Sequence, residues 1–542
     1  MTIRNFVNIL TTAIDDDALT TTKPGERVLN FGHLKTSGDI ADGIFAEADG
    51  VSVHNLGRIE TSGAGAAGIL VRGDDARIVN FGLVETHGGV LGDDEFFAEG
   101  IVAEGNRFSI ANFGRVHVDG DGSSGLAGVG TDGAIVNYGV VDSTASGSSV
   151  IAVRGDGSRI VNAGRVTVGG EDNAGLFALG EGASAVNLGT ILIAADGNVG
   201  LQGVEANTTL ANKGTIRING DGSDGIGAFG DGHRVTNSGH IEAHGDFSAG
   251  IKALGVVLLG IVGTDLEIDN TGHVTTDGNL GFGLSLGLTS VPQLGGFLGF
   301  IPAEDGVILN KGSVQTHGDG AAGVVLCGTG NQLINSGRII ADGGQFDGDP
   351  FGPFQAAAVV VTGDDALVQN GKSGVIQSKN TDSAGIEINI IERDGLSNAD
   401  TSCRLENSGL IKGAGVAILC GAGEEIVINY GRIVGDVVMG DGADTVISGK
   451  GGMIRGSLVL GGGDDIVFIE DGSGTTRIAD FGAGDASGDV VNVAAFFSNF
   501  SDLQSHCSQR GNDTVITLDR NDCLVLQNTQ VTALSDGDFA FA

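Results

Sequence analysis

Three stretches decide the fold: Ile135-Val136-Asn137-Tyr138-Gly139-Val140-Val141, Ile160-Val161-Asn162-Ala163-Gly164-Arg165-Val166 and Leu210-Ala211-Asn212-Lys213-Gly214-Thr215-Ile216. Each centres on Asn-x-Gly, with an aliphatic residue two positions before the Asn and another four after it. Working outward, the triplet recurs with Asn30, Asn55, Asn80, Asn112, Asn137, Asn162, Asn187, Asn212, Asn237, Asn270, Asn310, Asn335, Asn407 and Asn429, and in shifted form with Asn370. From Asn112 to Asn237 every step is 25 residues. A further aliphatic stands fourteen residues after the Asn, as in Ile44, Ile69, Leu126, Ile151, Leu176 and Leu201. Ala185 departs from the first of these positions and Gly374 from the second, where Ile376 replaces it after a short insertion.

All these offsets are even, so strand geometry points them to one face; the three- and four-residue spacings of a helix are missing. A 25-residue coil cannot bury such a face alone. Stacked coils can, because each strand pairs with its own copy on the next coil, about 4.8 Å along the axis. The expected fold is all-β: a parallel β-solenoid, or β-helix, of coils of about 25 residues with right-handed winding, ending in a small β-rich C-terminal cap. Its parts are an N-terminal cap (1–27), the solenoid (28–432), Gly/Asp repeats (433–476) and a C-terminal module (477–542). The Asn forms an internal amide ladder, each side chain bonded to the next coil, with a surface turn as the alternative.

Composition agrees. The 98 Gly residues supply corners, while 41% hydrophobic residues is more than disorder tolerates. A net charge of −39 argues against nucleic acid and against anionic membrane surfaces as partners. It also offers carboxylates to hard cations. No apolar run reaches the roughly 20 residues of a transmembrane helix. Residues Met1–Ile14 lack the basic region and apolar core of a secretory signal, which predicts the cytoplasm or a signal-peptide-independent export route.

Insertions fall in two corners only. One holds Gly88–Glu99 and Asp342–Gln355, including Asp93, Asp94, Glu95, Phe96 and Phe97. The other holds Ala253–Thr264, Leu286–Glu304 and Glu392–Cys403, including Leu294, Phe297, Leu298 and Phe300. Insertions of this kind often build a solenoid's working face, with simple length drift as the alternative.

After Asn429 the period shortens to 21 residues. Met439-Gly440-Asp441-Gly442-Ala443-Asp444-Thr445-Val446-Ile447 is followed by Leu460-Gly461-Gly462-Gly463-Asp464-Asp465-Ile466-Val467-Phe468. Both resemble the RTX nonapeptide Gly-Gly-x-Gly-x-Asp-x-U-x, departing at the first Gly. The resemblance implies Ca²⁺ held at these turns by Gly440, Asp441, Gly442, Asp444, Gly461, Gly463, Asp464 and Asp465. The family stacks its copies two nonapeptides apart, a closer spacing than the one here. The same turns beside Asn-x-Gly repeats also resemble autotransporter passenger solenoids, where they are turns alone.

Further on come Ile478-Ala479-Asp480-Phe481-Gly482, Asp489-Val490-Val491-Asn492, Gly511-Asn512-Asp513-Thr514-Val515 and the terminal Asp538-Phe539-Ala540-Phe541-Ala542. Their order resembles the C-terminal module of RTX and serralysin-type proteins. The resemblance, which covers about residues 433–542, implies export through a type I secretion apparatus with an uncleaved signal. It also implies an extracellular or cell-surface location and folding completed by external Ca²⁺.

Five Cys remain. Cys507 and Cys523 flank a strand and could meet across a hairpin as a disulfide, with free thiols as the alternative. Cys327 and Cys420 share the context aliphatic-Leu-Cys-Gly and read as the same inward position in distant coils.

Uniform repeats, acidity and an export-type end point to a non-catalytic, secreted, calcium-binding structural or adhesive protein. Its partners would be the cell surface, matrix polysaccharide or other copies of itself. The alternative is a β-helix carbohydrate-active enzyme, a polysaccharide lyase or epimerase. Against it stand the absence of Trp, the presence of only two Tyr, and the lack of an Asp/Glu cluster backed by Lys or Arg at matched offsets.

Overall fold

Alternating apolar residues interrupted by Gly form strands of four to six residues that turn before they can pair with themselves. In the computed structural model each such strand pairs with its counterpart on the next coil. The structure describes residues 2–92, 97–255, 262–287, 302–347, 355–381, 383–388, 401–484 and 488–542. These fall into two compact units, one through Gly263 and one from Thr264.

In the first unit a representative coil contains strands Arg159–Asn162, Arg165–Val168 and Ala174–Leu179. All three pair in parallel with the next coil. Ile160 sits on Ala185, Asn162 on Asn187, Val166 on Ile191 and Leu176 on Leu201. The even-offset residues are the core: Ile160, Val166 and Leu176 are fully buried, as are their copies along the unit. The stacking begins at Thr2–Asn5, which pairs in register with Arg27–Asn30. It therefore reaches into the segment expected to cap the solenoid.

Each ladder Asn is buried, and its Nδ2 donates to Oδ1 of the next coil's Asn. The bonds from Asn5 to Asn237 measure 2.8–2.9 Å. The second unit repeats the arrangement from Asn270 through Asn310, Asn335, Asn370 and Asn407 to Asn429. The amides are thus interior and the surface-turn alternative is set aside. Gly two residues on is required by close approach: a Cβ at Gly139 would lie 2.0 Å from the carbonyl oxygen of Gly114 one coil below. Register also explains the shifted triplet, since Ile376 pairs with Ile339 and takes the place Gly374 leaves.

The residue after each Asn points outward. Phe6 and Phe31 stack at 4.8 Å, Phe81 and Phe113 at 5.0 Å, and Phe113 and Tyr138 at 4.9 Å. All are exposed. Aromatic stacks therefore exist on this surface, built mainly from Phe with Tyr138 as one member.

In the second unit the coils end in antiparallel structure. Strands Cys507–Arg510, Asp513–Thr517 and Cys523–Leu526 form a three-stranded meander, and the last pairs in parallel with Thr475–Ile478. The only α-helix among the described residues is Phe500–Ser505. Among the described residues no helix is long and apolar enough to cross a membrane. Such a meander covers the open edge that a parallel stack would otherwise leave.

The meander corrects the cysteine pairing. Cys507 pairs with Ile516 and Cys523 with Thr517, so the middle strand separates them. Two strand spacings, about 10 Å, exceed what a disulfide spans, and both thiols are free. Cys327 and Cys420 are buried as expected but lie one register apart. Leu326, not Cys327, continues through Val361 and Ile388 to Cys420.

Candidate metal site at the C-terminal Gly-Asp turns

The 21-residue coils preserve stacking, with Ile433 on Ile454 and Val446 on Val467. Between those strands run the two Gly-Asp turns. Gly440, Gly442, Gly461 and Gly463 take φ of 95°, 139°, 94° and 133°, conformations that favour Gly. The turns stack so closely that a Cβ at Gly461 or Gly463 would lie 1.7 Å from the carbonyl oxygen of Gly440 or Gly442.

The four Asp residues divide into two pairs. Asp441 and Asp464 are exposed. Asp444 and Asp465 are each 1% exposed and stand in one inward column. The column begins one coil earlier with Glu425 and continues to Asp489. The backbone N–H of Glu425 donates to Asp444 Oδ1 at 2.8 Å, that of Asp444 to Asp465 Oδ1 at 2.9 Å, and that of Asp465 to Asp489 Oδ1 at 3.4 Å. Each carboxylate thus caps the coil before it with one oxygen. The other oxygens, Asp444 Oδ2 and Asp465 Oδ2, are buried without a hydrogen-bond partner.

Electrostatics make this column costly. Burial, then the carboxylates of Glu425 and Asp465, push Asp444 up to about 8. Burial also raises Asp465 to about 6, and it raises Asp489. Buried carboxylates stacked on one another must be protonated or matched by positive charge. The orphaned oxygens are hard anionic donors of the kind Ca²⁺ accepts, so the donor set fits the cation that the resemblance implies. Asp444 and Asp465 would hold it, and Gly440, Gly442, Gly461 and Gly463 shape the turns beside them. A divalent cation bound there would supply the charge the column lacks.

The sequence reading missed Glu425. Cys420-Gly421-Ala422-Gly423-Glu424-Glu425 is a third turn of the same stack, in which a Cβ at Gly440 or Gly442 would strike the carbonyl oxygen of Gly421 or Gly423. The Gly-x-Gly-x-acid pattern carries the signal, hidden by Cys and Glu where the later turns have Met or Leu and Asp.

Among the described residues the one acidic group whose three ligand atoms lie within 4.8 Å of one another is not the column but Asp471, Asp519 and Asp522. Both oxygens of Asp522 already serve a turn, accepting from the N–H groups of Gly472 and Gly474, and Asp519 Oδ1 accepts from those of Asn521 and Asp522.

Of the insertions expected to form a working face, residues 93–96, 256–261, 288–301, 348–354 and 389–400 lie outside the described residues. These include Asp93, Asp94, Glu95, Phe96, Leu294, Phe297, Leu298 and Phe300. The chain matches no protein-family model, and no curated protein matches it.

Proposed function

We propose that this chain is an exported, calcium-binding structural or adhesive protein of the cell surface or extracellular matrix. The observation that carries the proposal is the pair of buried, unpartnered oxygens on Asp444 and Asp465 within a column of four acidic residues. Cytosolic Ca²⁺ is scarce, so the column would oppose closure of the last coils there; extracellular modules bind at roughly 10⁻⁴–10⁻³ M and would fill outside the cell. This supports folding after export and, with the C-terminal resemblance, passage through a type I secretion apparatus. A parallel stack with a repeated acidic surface suits a scaffold or adhesin.

The test is far-UV circular dichroism and calorimetry of the full chain in chelator and then in millimolar Ca²⁺, followed by cell-attachment assays. Ca²⁺-dependent gain of β signal with binding to cells or matrix is expected. A stack already complete in chelator and unmoved by Ca²⁺ would reduce the Gly-Asp turns to corners. Absence of surface association would refute the adhesive role.

A further inference from the structure

A cleft of about 320 Å³ opens on the outer side of the third strands in the first unit, far in sequence from the Gly-Asp turns. Three columns build it. Two residues ahead of the inward Ile44, Ile69 and Ile101 stand Asp42, Ala67 and Glu99. One residue behind them stand Phe45, Leu70 and Val102. Farther along the strands lie Arg72, Glu104, Val129 and Arg154 in register. The first insertion ends at Phe97–Glu99, so this corner contributes two lining residues, as an insertion-built working face would.

The wall has two characters. Phe45, Leu70 and Val102 make an apolar strip, with the Arg72 guanidinium 5.7 Å over the Phe45 ring. Opposite them are acids with unused capacity. Asp42 is 3% exposed; its Oδ1 accepts from the Ala67 N–H at 2.7 Å, and its Oδ2 has no hydrogen-bond partner among the described residues. Glu99 is half-buried, and its carboxylate accepts from its own backbone N–H. The small Ala67 between them leaves a gap of two rungs, about 10 Å.

Building on the adhesive reading above, we propose that this cleft grips an uncharged glycan chain, with Asp42 and Glu99 bonding hydroxyls on alternate sugars and the strip of Phe45, Leu70 and Val102 covering the sugars' C–H faces. Three observations select this ligand. An apolar strip beside convergent polar groups matches a ring with a polar rim and an apolar face. The rung spacing of about 4.8 Å is close to the advance per residue of an extended glycan, so groups repeated by coil meet groups repeated by sugar. The charge disfavours a polyuronate: Arg72 is engaged by Glu104 at 2.8 Å, and Asp15 and Asp17 join Asp42 and Glu99 in a lining whose only other cation is Arg154. Burial raises Asp42 to about 8 and Glu99 to about 7, so near neutrality both can donate as well as accept.

The test is titration calorimetry of the full chain in Ca²⁺ against uncharged glucan, mannan and galactan oligosaccharides, with polygalacturonate as the anionic control. Binding to an uncharged oligosaccharide but not to polygalacturonate is expected. Asp42→Asn and Glu99→Leu should each weaken it tenfold or more with circular dichroism unchanged, and Phe45→Ser should weaken it independently of charge. Failure of every uncharged glycan to bind, or binding indifferent to all three substitutions, would overturn the assignment. If the chain still attaches to cells, the adhesive reading survives that failure. Reducing ends released by the wild type and not by Glu99→Gln would overturn binding without turnover.

Discussion

Asn162 donates from Nδ2 to Oδ1 of Asn187 at 2.9 Å, one coil away, with both side chains fully buried. Asn162 also accepts through Oδ1 from Nδ2 of Asn137 and from the N–H of Gly164. Asn162→Asp would keep the shape, remove the donor and bury a charge. It should cost about 3 kcal/mol, one orphaned acceptor plus a desolvated carboxylate. Hydrogen exchange should show lost protection centred on coils 137–187 and fading with distance, since a solenoid's coupling is to nearest neighbours. Uniform protection would refute the ladder's role.

The stacked turns set a strict volume limit. Gly461→Ala would place a methyl 1.7 Å from the Gly440 carbonyl oxygen at φ +94°. We expect a loss of about 2 kcal/mol or more in the C-terminal coils, seen as an earlier denaturation step, with the first unit's transition unchanged. Gly451→Ala, at φ +81° with nothing near its added Cβ, should cost less.

Asp444→Asn separates the two roles of that carboxylate. The amide oxygen can still accept from the Glu425 N–H, while the buried charge is gone. In chelator the variant should unfold at higher temperature than the wild type. In Ca²⁺ the order should reverse, because the wild type gains about 3 kcal/mol at a hundredfold excess over Kd and the variant does not. Equal Ca²⁺ responses would remove Asp444 from the site.

The cleft acids make the first unit sensitive to alkali. Asp42 rises from 3.8 to about 8, chiefly through burial and then through Asp17 and Asp15, opposed by the Ala67 N–H and by Arg72. Glu99 rises from 4.5 to about 7, through burial and Glu104, opposed by Arg154. A folded pKa above the unfolded one means the folded state holds its proton longer. The contribution is therefore complete below the unfolded values and lost as pH climbs through the folded ones. The first unit should be more stable at pH ~5 than at pH ~9, and Asp42→Asn should flatten the profile. An unchanged slope in that variant would refute the assignment.

Thiol labelling checks the meander. Cys507 and Cys523 are partly exposed, whereas Cys327, Cys403 and Cys420 are buried. Native alkylation should reach only the first two, and denaturation should release all five. A Cys507–Cys523 disulfide is not expected; a mass two hydrogens short that reductant restores would contradict the strand order.

The coils were legible because in-register stacking repeats each inward position at a fixed offset from Asn, as Ile135, Ile160 and Leu210 show. Ile376 could be placed for the same reason. The cleft was not legible. Asp42 lies twelve residues after Asn30, but Glu99 lies nineteen after Asn80, because the insertion intervenes. Matched offsets therefore hid residues that share a column. Glu425 escaped because a longer acid on a shorter step replaces Asp. The separation of Cys507 and Cys523 depends on which strand lies between them, which spacing does not encode.

The amide ladder is a vector. Each Nδ2 points to the higher-numbered coil and each Oδ1 receives from the lower, so within either unit the side-chain dipoles run head to tail. Upstream, Asn5 Oδ1 accepts from the Val7 N–H and closes that end. Downstream, Asn429 meets Ser448 instead of an amide, and its buried Nδ2 finds no acceptor. Every coil presents amide donors on its downstream face and amide oxygens on its upstream face, so the two ends of the ladder are chemically different surfaces and a coil can join either only in one sense.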